Sequence, residues 1–395
     1  MTRADDTPQV KAFPLCFIVL VYYIFFYFVC QELFSIFFVL LYIKIIIGVL
    51  ALQIYQNYFD PQEYFKYNYK KSLRKDSNKI GWVLILFYVV MTAVSMVTMF
   101  IPLLGSLFNI QSNPSTDEMG FLEDTTFLML MSGLVSIITF FGVSIIYCMI
   151  AKANLGRIFP LDKIGAKLTY HLCAVGIAVC MIANYVSYIL LYLFDKAGIK
   201  AIADSEYNCD SVLDIILFYV TVAVLPALVE EFAFRGVVLG LLRKYSDGLA
   251  VLVSGVMFGI MHGNFAQIPF ALVVGLVLGF IAVKTNSLLP GIIIHFLNNG
   301  LSVTLTLLVT NTELSDNSVN LINSIILIFI GALGLLSFSY LNKKHSGFFK
   351  LQDADKVIVF KEKAKIVFSS PMIITFIVIS LVEAVMMVLL AEVSL

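Results

Sequence analysis

The sequence predicts an all-α fold, a polytopic transmembrane helical bundle of about eleven spans, and three observations carry that expectation. Of its 395 residues, 60% are hydrophobic and 13% charged, where soluble domains average roughly half and a quarter; mean hydropathy is +0.95. The apolar residues fall in runs long enough to cross a bilayer, which takes about 20 residues of helix. The basic residues collect in alternate connections between those runs.

A first run at 13–30 follows Arg3 and Lys11 and is not followed by a small-residue cleavage site, so it reads as a retained signal anchor. A second, at 33–54, is divided from it only by Gln31 and Glu32, and one interrupted helix or an interfacial segment fits there as well. Further spans are predicted at 81–104, 125–150, 170–194, 212–242, 248–264, 267–283, 288–310, 320–341 and 367–391. They group as 1–211 with about five spans, 212–310 where the ionisable groups concentrate, and 311–395 with two spans joined by a basic loop.

With the N-terminus inside, the inner connections hold 22 of the 26 Lys and Arg, and the outer loops hold Lys196 and Lys200 alone. Lys44 and Arg235 fall within spans. This asymmetry sets the orientation. The basic segments 55–80 and 342–366 read first as solvated faces against anionic lipid. A formal net charge of +0 leaves no bulk field to recruit nucleic acid. Cys16, Cys30, Cys148, Cys173 and Cys180 lie in apolar runs, Cys209 in a polar loop, and there is no CxxC pair. Neither a disulfide framework nor a thiolate metal site is expected.

Ionisable groups within apolar spans cost about 2.5–3.5 kcal/mol each on insertion scales, so each needs a reason. Most of them sit in one stretch: Glu230, Glu231 and Arg235, then His262, then His295 with Asn298 and Asn299. Glu231 and Arg235 are spaced i,i+4 and can pair on one helix face, which is the ordinary structural reading of such a pair. Glu230 points about 100° away from Glu231 and is left without that partner, as a general base would be. His295 and Asn299, again i,i+4, can project together to hold a water and donate to an oxyanion. Phe258 shares that spacing with His262 and can fix its ring. A lone intramembrane histidine is more often a packed, hydrogen-bonded residue, so the case rests on the four groups together. Stripes at Gly236/Gly240, Gly255/Gly259/Gly263 and Gly275/Gly279 permit close helix approach, a feature that by itself signals packing. On straight spans rising about 1.5 Å per residue, Glu230 and His295 fall toward the inner side and His262 toward the outer end, which strains the convergence.

EEFAFR at 230–235, FGIMH at 258–262 and HFLNN at 295–299 together resemble the CAAX protease and bacteriocin-processing family (CPBP, or Abi), which includes the type II CAAX prenyl endopeptidases. The likeness covers roughly 212–310. It implies an intramembrane peptidase acting on a peptide or protein at the bilayer. Glu230 would activate water, and His262, His295 and Asn299 would complete the site, with Glu231, Arg235 and Phe258 in support. The family is often described as metalloprotease. If a divalent metal such as zinc is present, Glu230, His262 and His295 would hold it, yet a metal-free glutamate-activated water fits the chemistry too because another strong ligand is wanting nearby. The resemblance also implies a multi-pass bacterial plasma-membrane protein, and leaves open whether the substrate is prenylated or a bacteriocin-like peptide. Two rivals stand: a catalytically silent scaffold or immunity factor, which would lack a site residue, and an ion-coupled transporter, which would show an inverted repeat. Neither sign is found in the sequence.

Overall fold

The computed structural model describes residues 40–45, 47, 60–107, 125–198, 209, 211–312, 314–345, 347–351 and 357–393. The run expected at 13–30 lies outside the described residues, as does most of that at 33–54. The chain divides into two compact units, Met1–Asn68 and Tyr69–Leu395. In the first, an exposed Lys66–Glu63 ion pair of 3.0 Å decorates helical turns. The elements below belong to the second, apart from the first turns of the helix that opens at Pro61.

The helices are α1 (Pro61–Leu107), α2 (Thr125–Ile150), α3 (Ala166–Lys196), α4 (Val212–Leu242), α5 (Asp247–Met261), α6 (Ile268–Thr285), α7 (Leu289–Thr310), α8 (Asp316–Lys344), α9 (Phe360–Phe368) and α10 (Pro371–Val393). Eight of the described helices are long and apolar enough to cross a membrane, and α5 and α9 are shorter. The fold is thus an all-α polytopic bundle.

Two expectations need correction. The span predicted at 248–264 is the 15-residue α5, which ends at Met261. At 1.5 Å per residue it is about 22 Å long, short of a hydrocarbon core of about 30 Å. The helix expected at 81–104 begins earlier, at Pro61, so most of the basic segment 55–80, read as a solvated face, is carried on a helix. Its Lys, Arg, Glu and Leu residues are good helix formers, and Asp76 and Lys79 pair at 2.9 Å across one turn.

Polar residues at the segment ends fix where helices start. Ser211 and Asp214 form a capping box that opens α4. Ser246 caps α5 and Ser315 caps α8 through their hydroxyls. Asn286, left-handed at φ 48°, closes α6, and its side chain accepts from Arg243 Nη1 at 2.6 Å.

Glycine brings α5 and α6 together. A Cβ on Gly259 would stand 2.8 Å from Leu272 Cα, and one on Gly275 2.8 Å from the Gly255 carbonyl oxygen. Gly279 differs, because a Cβ there would meet Leu239 at an ordinary 3.5 Å. Gly259→Ala is therefore expected to destabilise the protein by roughly 1–3 kcal/mol, whereas Gly279→Ala should leave the thermal midpoint nearly unchanged. Melting curves of the two purified variants decide it, and equal midpoints would show that the glycine contact does not set the α5–α6 spacing.

Candidate active site

Helix α4 is not uniform. It opens from its cap, widens into π turns at Tyr219–Val224, returns to α geometry over Leu225–Glu231, and widens again over Phe232–Val238. The two glutamates end the α segment between the π turns. Such turns are uncommon and often lie at functional sites. They displace carbonyls from the regular ladder, and Val222 O accepts instead from Asn299 Nδ2 of α7 at 3.0 Å.

The paired carboxylates have different surroundings. Glu231 Oε1 lies 2.8 Å from Arg235 Nη1, with side chains 1% and 0% exposed. That contact is an ion pair by distance, though Nη1 is off the line of a hydrogen bond. Arg235 also reaches the Gly275 carbonyl through Nη2 at 3.4 Å and lays its guanidinium 4.3 Å from the Phe258 ring centre, a favourable cation–π geometry. The Glu230 side chain remains 15% exposed, with His295 Nε2 3.9 Å from its Oε2.

Helix α7 supplies His295 and the amides. Pro290 sits in its first turn, where no backbone donor is lost, and Gly291 leaves room for the Glu231 carboxylate, since a Cβ there would lie 2.9 Å from Oε2. His295 Nδ1 is 3.2 Å from Glu231 Oε1. A carboxylate accepts, so Nδ1 carries the hydrogen and, in the neutral ring, Nε2 offers a lone pair toward Glu230. The separation of 3.9 Å is too long for a direct bond and short enough for one water to touch both groups.

Helix α5 supplies Phe258 and His262. His262 Nδ1 is 2.9 Å from the Phe258 carbonyl oxygen, which fixes the same tautomer and leaves Nε2 open. The Phe258 ring meets His262 edge-on at 5.0 Å and His295 at 5.9 Å, so it is the common neighbour of both imidazoles and of Arg235. His262 also lies within electrostatic reach of Glu230 and His295. The depth mismatch expected from straight spans is resolved by the shortness of α5: His262 caps a helix that stops early.

The structure therefore brings His262 and His295 against Phe258 and Glu230 to 3.9 Å from His295, with Glu231 and Arg235 sealed in the interior. Asn299 is beside the group but engaged, donating to Val222 O and accepting from Asn298 Nδ2 at 3.1 Å; Asn184 of α3 in turn reaches Asn298 Oδ1 at 3.3 Å. Sequence spacing does not anticipate the His295–Glu231 bond, the Asn184 contact, or the corner formed by Tyr88 and Glu383. Tyr88 Oη donates to Met261 O at 3.2 Å, and Glu383 of α10 bonds to Tyr88 with its Oε2 against Gly263, which has φ 61°. An acid in the last apolar run is a visible signal, though it stands far in sequence from the motifs.

Among the described residues, no three His, Cys, Asp or Glu side chains are disposed to hold a metal ion. Nδ1 of each imidazole lies on a protein oxygen, which leaves Nε2 as the nitrogen a metal would take, but Glu230, His262 and His295 are not gathered as a ligand set.

Fold and site together define a polytopic helical membrane protein with a buried acid–imidazole centre. Residues 212–301 match the family described as Type II CAAX prenyl endopeptidase Rce1-like. The chain is 25% identical over 228 residues to YdiL of Bacillus subtilis (strain 168), named as a membrane peptidase, covering 55% of this chain and 85% of that one. It is 33% identical over 121 residues to the membrane-embedded CAAX protease MroQ of Staphylococcus aureus (strain USA300), covering 29% of this chain and 48% of that one. No solved structure matches. The helical core at 212–301 is thus similar to the type II CAAX prenyl endopeptidases.

Proposed function

We propose that this chain is a CAAX-type membrane protease, an intramembrane endopeptidase in which Glu230 activates the attacking water. The observation that carries the reading is the split between the two glutamates: Glu231 is neutralised by Arg235 and sealed, whereas Glu230 is partly open with a histidine nitrogen 3.9 Å away. A water between Glu230 and the lone pair of His295 Nε2 would donate one hydrogen to each and present its own lone pairs outward. Attack on a peptide carbonyl forms the new C–O bond while Glu230 takes the proton. Collapse of the tetrahedral species breaks the C–N bond, and Glu230 returns that proton to the departing amine. His262, protonated at Nδ1 in its neutral form, takes part through Nε2, and the Asn299 hydrogen not used on Val222 O is available to the oxyanion.

The segment 212–310, which includes the matched residues 212–301, serves as the catalytic core in this reading, with the flanking helices as its membrane frame and the N-terminus on the side of the basic connections. The membrane is the bacterial plasma membrane, and the partner is a peptide or protein reaching the site from the bilayer or its surface.

The test is cleavage by the purified chain reconstituted in vesicles, against a prenylated C-terminal CAAX peptide and non-lipidated membrane-anchored peptides. His262→Ala is expected to lower kcat by roughly 10²–10³-fold, the cost of removing one group that stabilises the transition state, without moving the thermal midpoint. Turnover should survive incubation with a chelator, given the donor geometry. Full activity in His262→Ala, or loss of activity on chelation restored by added metal, would remove this mechanism.

A further inference from the structure

A second polar cluster lies away from the acid–imidazole site, where α3 begins and α8 ends. Lys344 Nζ donates to Tyr340 Oη at 3.1 Å and stands 5.6 Å from the ring centre. Lys167 of α3 places its Nζ 5.0 Å from the same ring centre. Behind them the Tyr340 ring stacks on His171 at 4.1 Å and 25°, and His171 Nδ1 lies 3.1 Å from Ser337 Oγ, which holds the aromatic platform in place. The cluster is assembled from the start of α3 and the end of α8, which are distant in sequence.

Several other described lysines at this end of the bundle are held by protein oxygens. Lys70 pairs with Glu362, and Lys79 and Lys244 both pair with Asp76; Lys284 donates to the Lys350 carbonyl. Lys167 and Lys344 have no carboxylate partner among the described residues. Two like charges that merely snorkel to water gain by spreading apart, yet these two converge on one phenol ring. Tyr340 accepts from Lys344, which leaves its own hydrogen to donate elsewhere. The cluster then offers donors from two ammonium groups and a phenol, and its complement is an oxyanion.

We propose that Lys167, Tyr340 and Lys344, braced by His171, bind the phosphate of an anionic phospholipid headgroup between α3 and α8. A lipid is favoured over a soluble anion because both lysines and the 56%-exposed Tyr170 stand at the ends of membrane-crossing helices, the level at which headgroup phosphates and aromatic belts lie. The site is independent of the protease reading. It couples to that region through α3, whose Asn184 reaches Asn298.

The full chain, delipidated in a neutral detergent, is titrated with phosphatidylglycerol, phosphatidylcholine or inorganic phosphate, with bound lipid counted by native mass spectrometry and the thermal midpoint followed in parallel. Phosphatidylglycerol should be retained and raise the midpoint. Lys167→Gln with Lys344→Gln should weaken its binding roughly 10–30-fold, because the attraction of each lysine to anionic lipid is worth about a fivefold factor in affinity, and Tyr340→Phe should weaken it less. Lys71→Gln with Lys75→Gln removes the same charge elsewhere on this end and should leave binding intact. Unchanged binding in the Lys167/Lys344 variant overturns the site, as does an equal loss in the Lys71/Lys75 variant, which would mean a diffuse field. An equal midpoint rise from inorganic phosphate would overturn the lipid assignment.

Discussion

Glu230→Gln is expected to reduce kcat by roughly 10²–10⁴-fold, the usual contribution of a positioned general base, while the protein keeps its thermal midpoint. The substitution is nearly isosteric, and Glu230 makes no close ion pair that the fold depends on: the neutral His295 ring approaches it through Nε2 at 3.9 Å. A glutamine amide can still touch a water at that position but cannot accept its proton, so KM should change little while turnover falls. Proton accounting gives the result its force, because one carboxylate must both take the hydrogen from water and hand it to the amine. Reconstituted vesicles assayed side by side with His262→Ala provide the measurement. Wild-type turnover in Glu230→Gln would assign the base elsewhere, and Glu383 would be the first acid to examine.

Much of this arrangement is legible in the sequence because its signals are local and periodic. Apolar runs of bilayer length mark α2, α3, α4, α6, α7, α8 and α10 to within a few residues. The i,i+4 rule yields the Glu231–Arg235 pair and the Phe258–His262 contact, both of which are formed. The sequence misleads where hydropathy does not mark an end. Asn264 follows α5 without a charged stop, so a 15-residue helix looks like a span, and the inference about depth fails with it. The π turns on either side of Glu230 and Glu231 leave no compositional trace, because a wider turn is a backbone response to tertiary packing. They alter the phase of every side chain beyond them, which is why a plain 3.6-residue projection does not reveal that His295 bonds to Glu231 and only approaches Glu230. Glu383 belongs to none of the clustered motifs, and its contact with Tyr88 joins residues from opposite ends of the described chain.

Arg235→Met is expected to be the most destabilising single change at the site, at about 3–5 kcal/mol, the cost of leaving one member of a buried ion pair unpaired. Arg235 is fully buried, and its removal strands Glu231, whose Oε2 already has no partner, beside an imidazole that depends on Oε1 for its orientation. Adding Glu231→Gln to Arg235→Met removes the stranded charge and should recover most of the lost stability, since replacing both members of a buried pair is often neutral or better. The glutamine carbonyl can still accept from His295 Nδ1, so the ring keeps its direction and its Nε2 keeps facing Glu230. The double variant should therefore return toward the wild-type midpoint and retain a measurable fraction of turnover, where Glu230→Gln retains almost none. Melting curves and cleavage rates on the three variants separate the two acidic roles: if the double variant is stable but as inactive as Glu230→Gln, the charge on Glu231 belongs to the chemistry rather than to the scaffold that aims it.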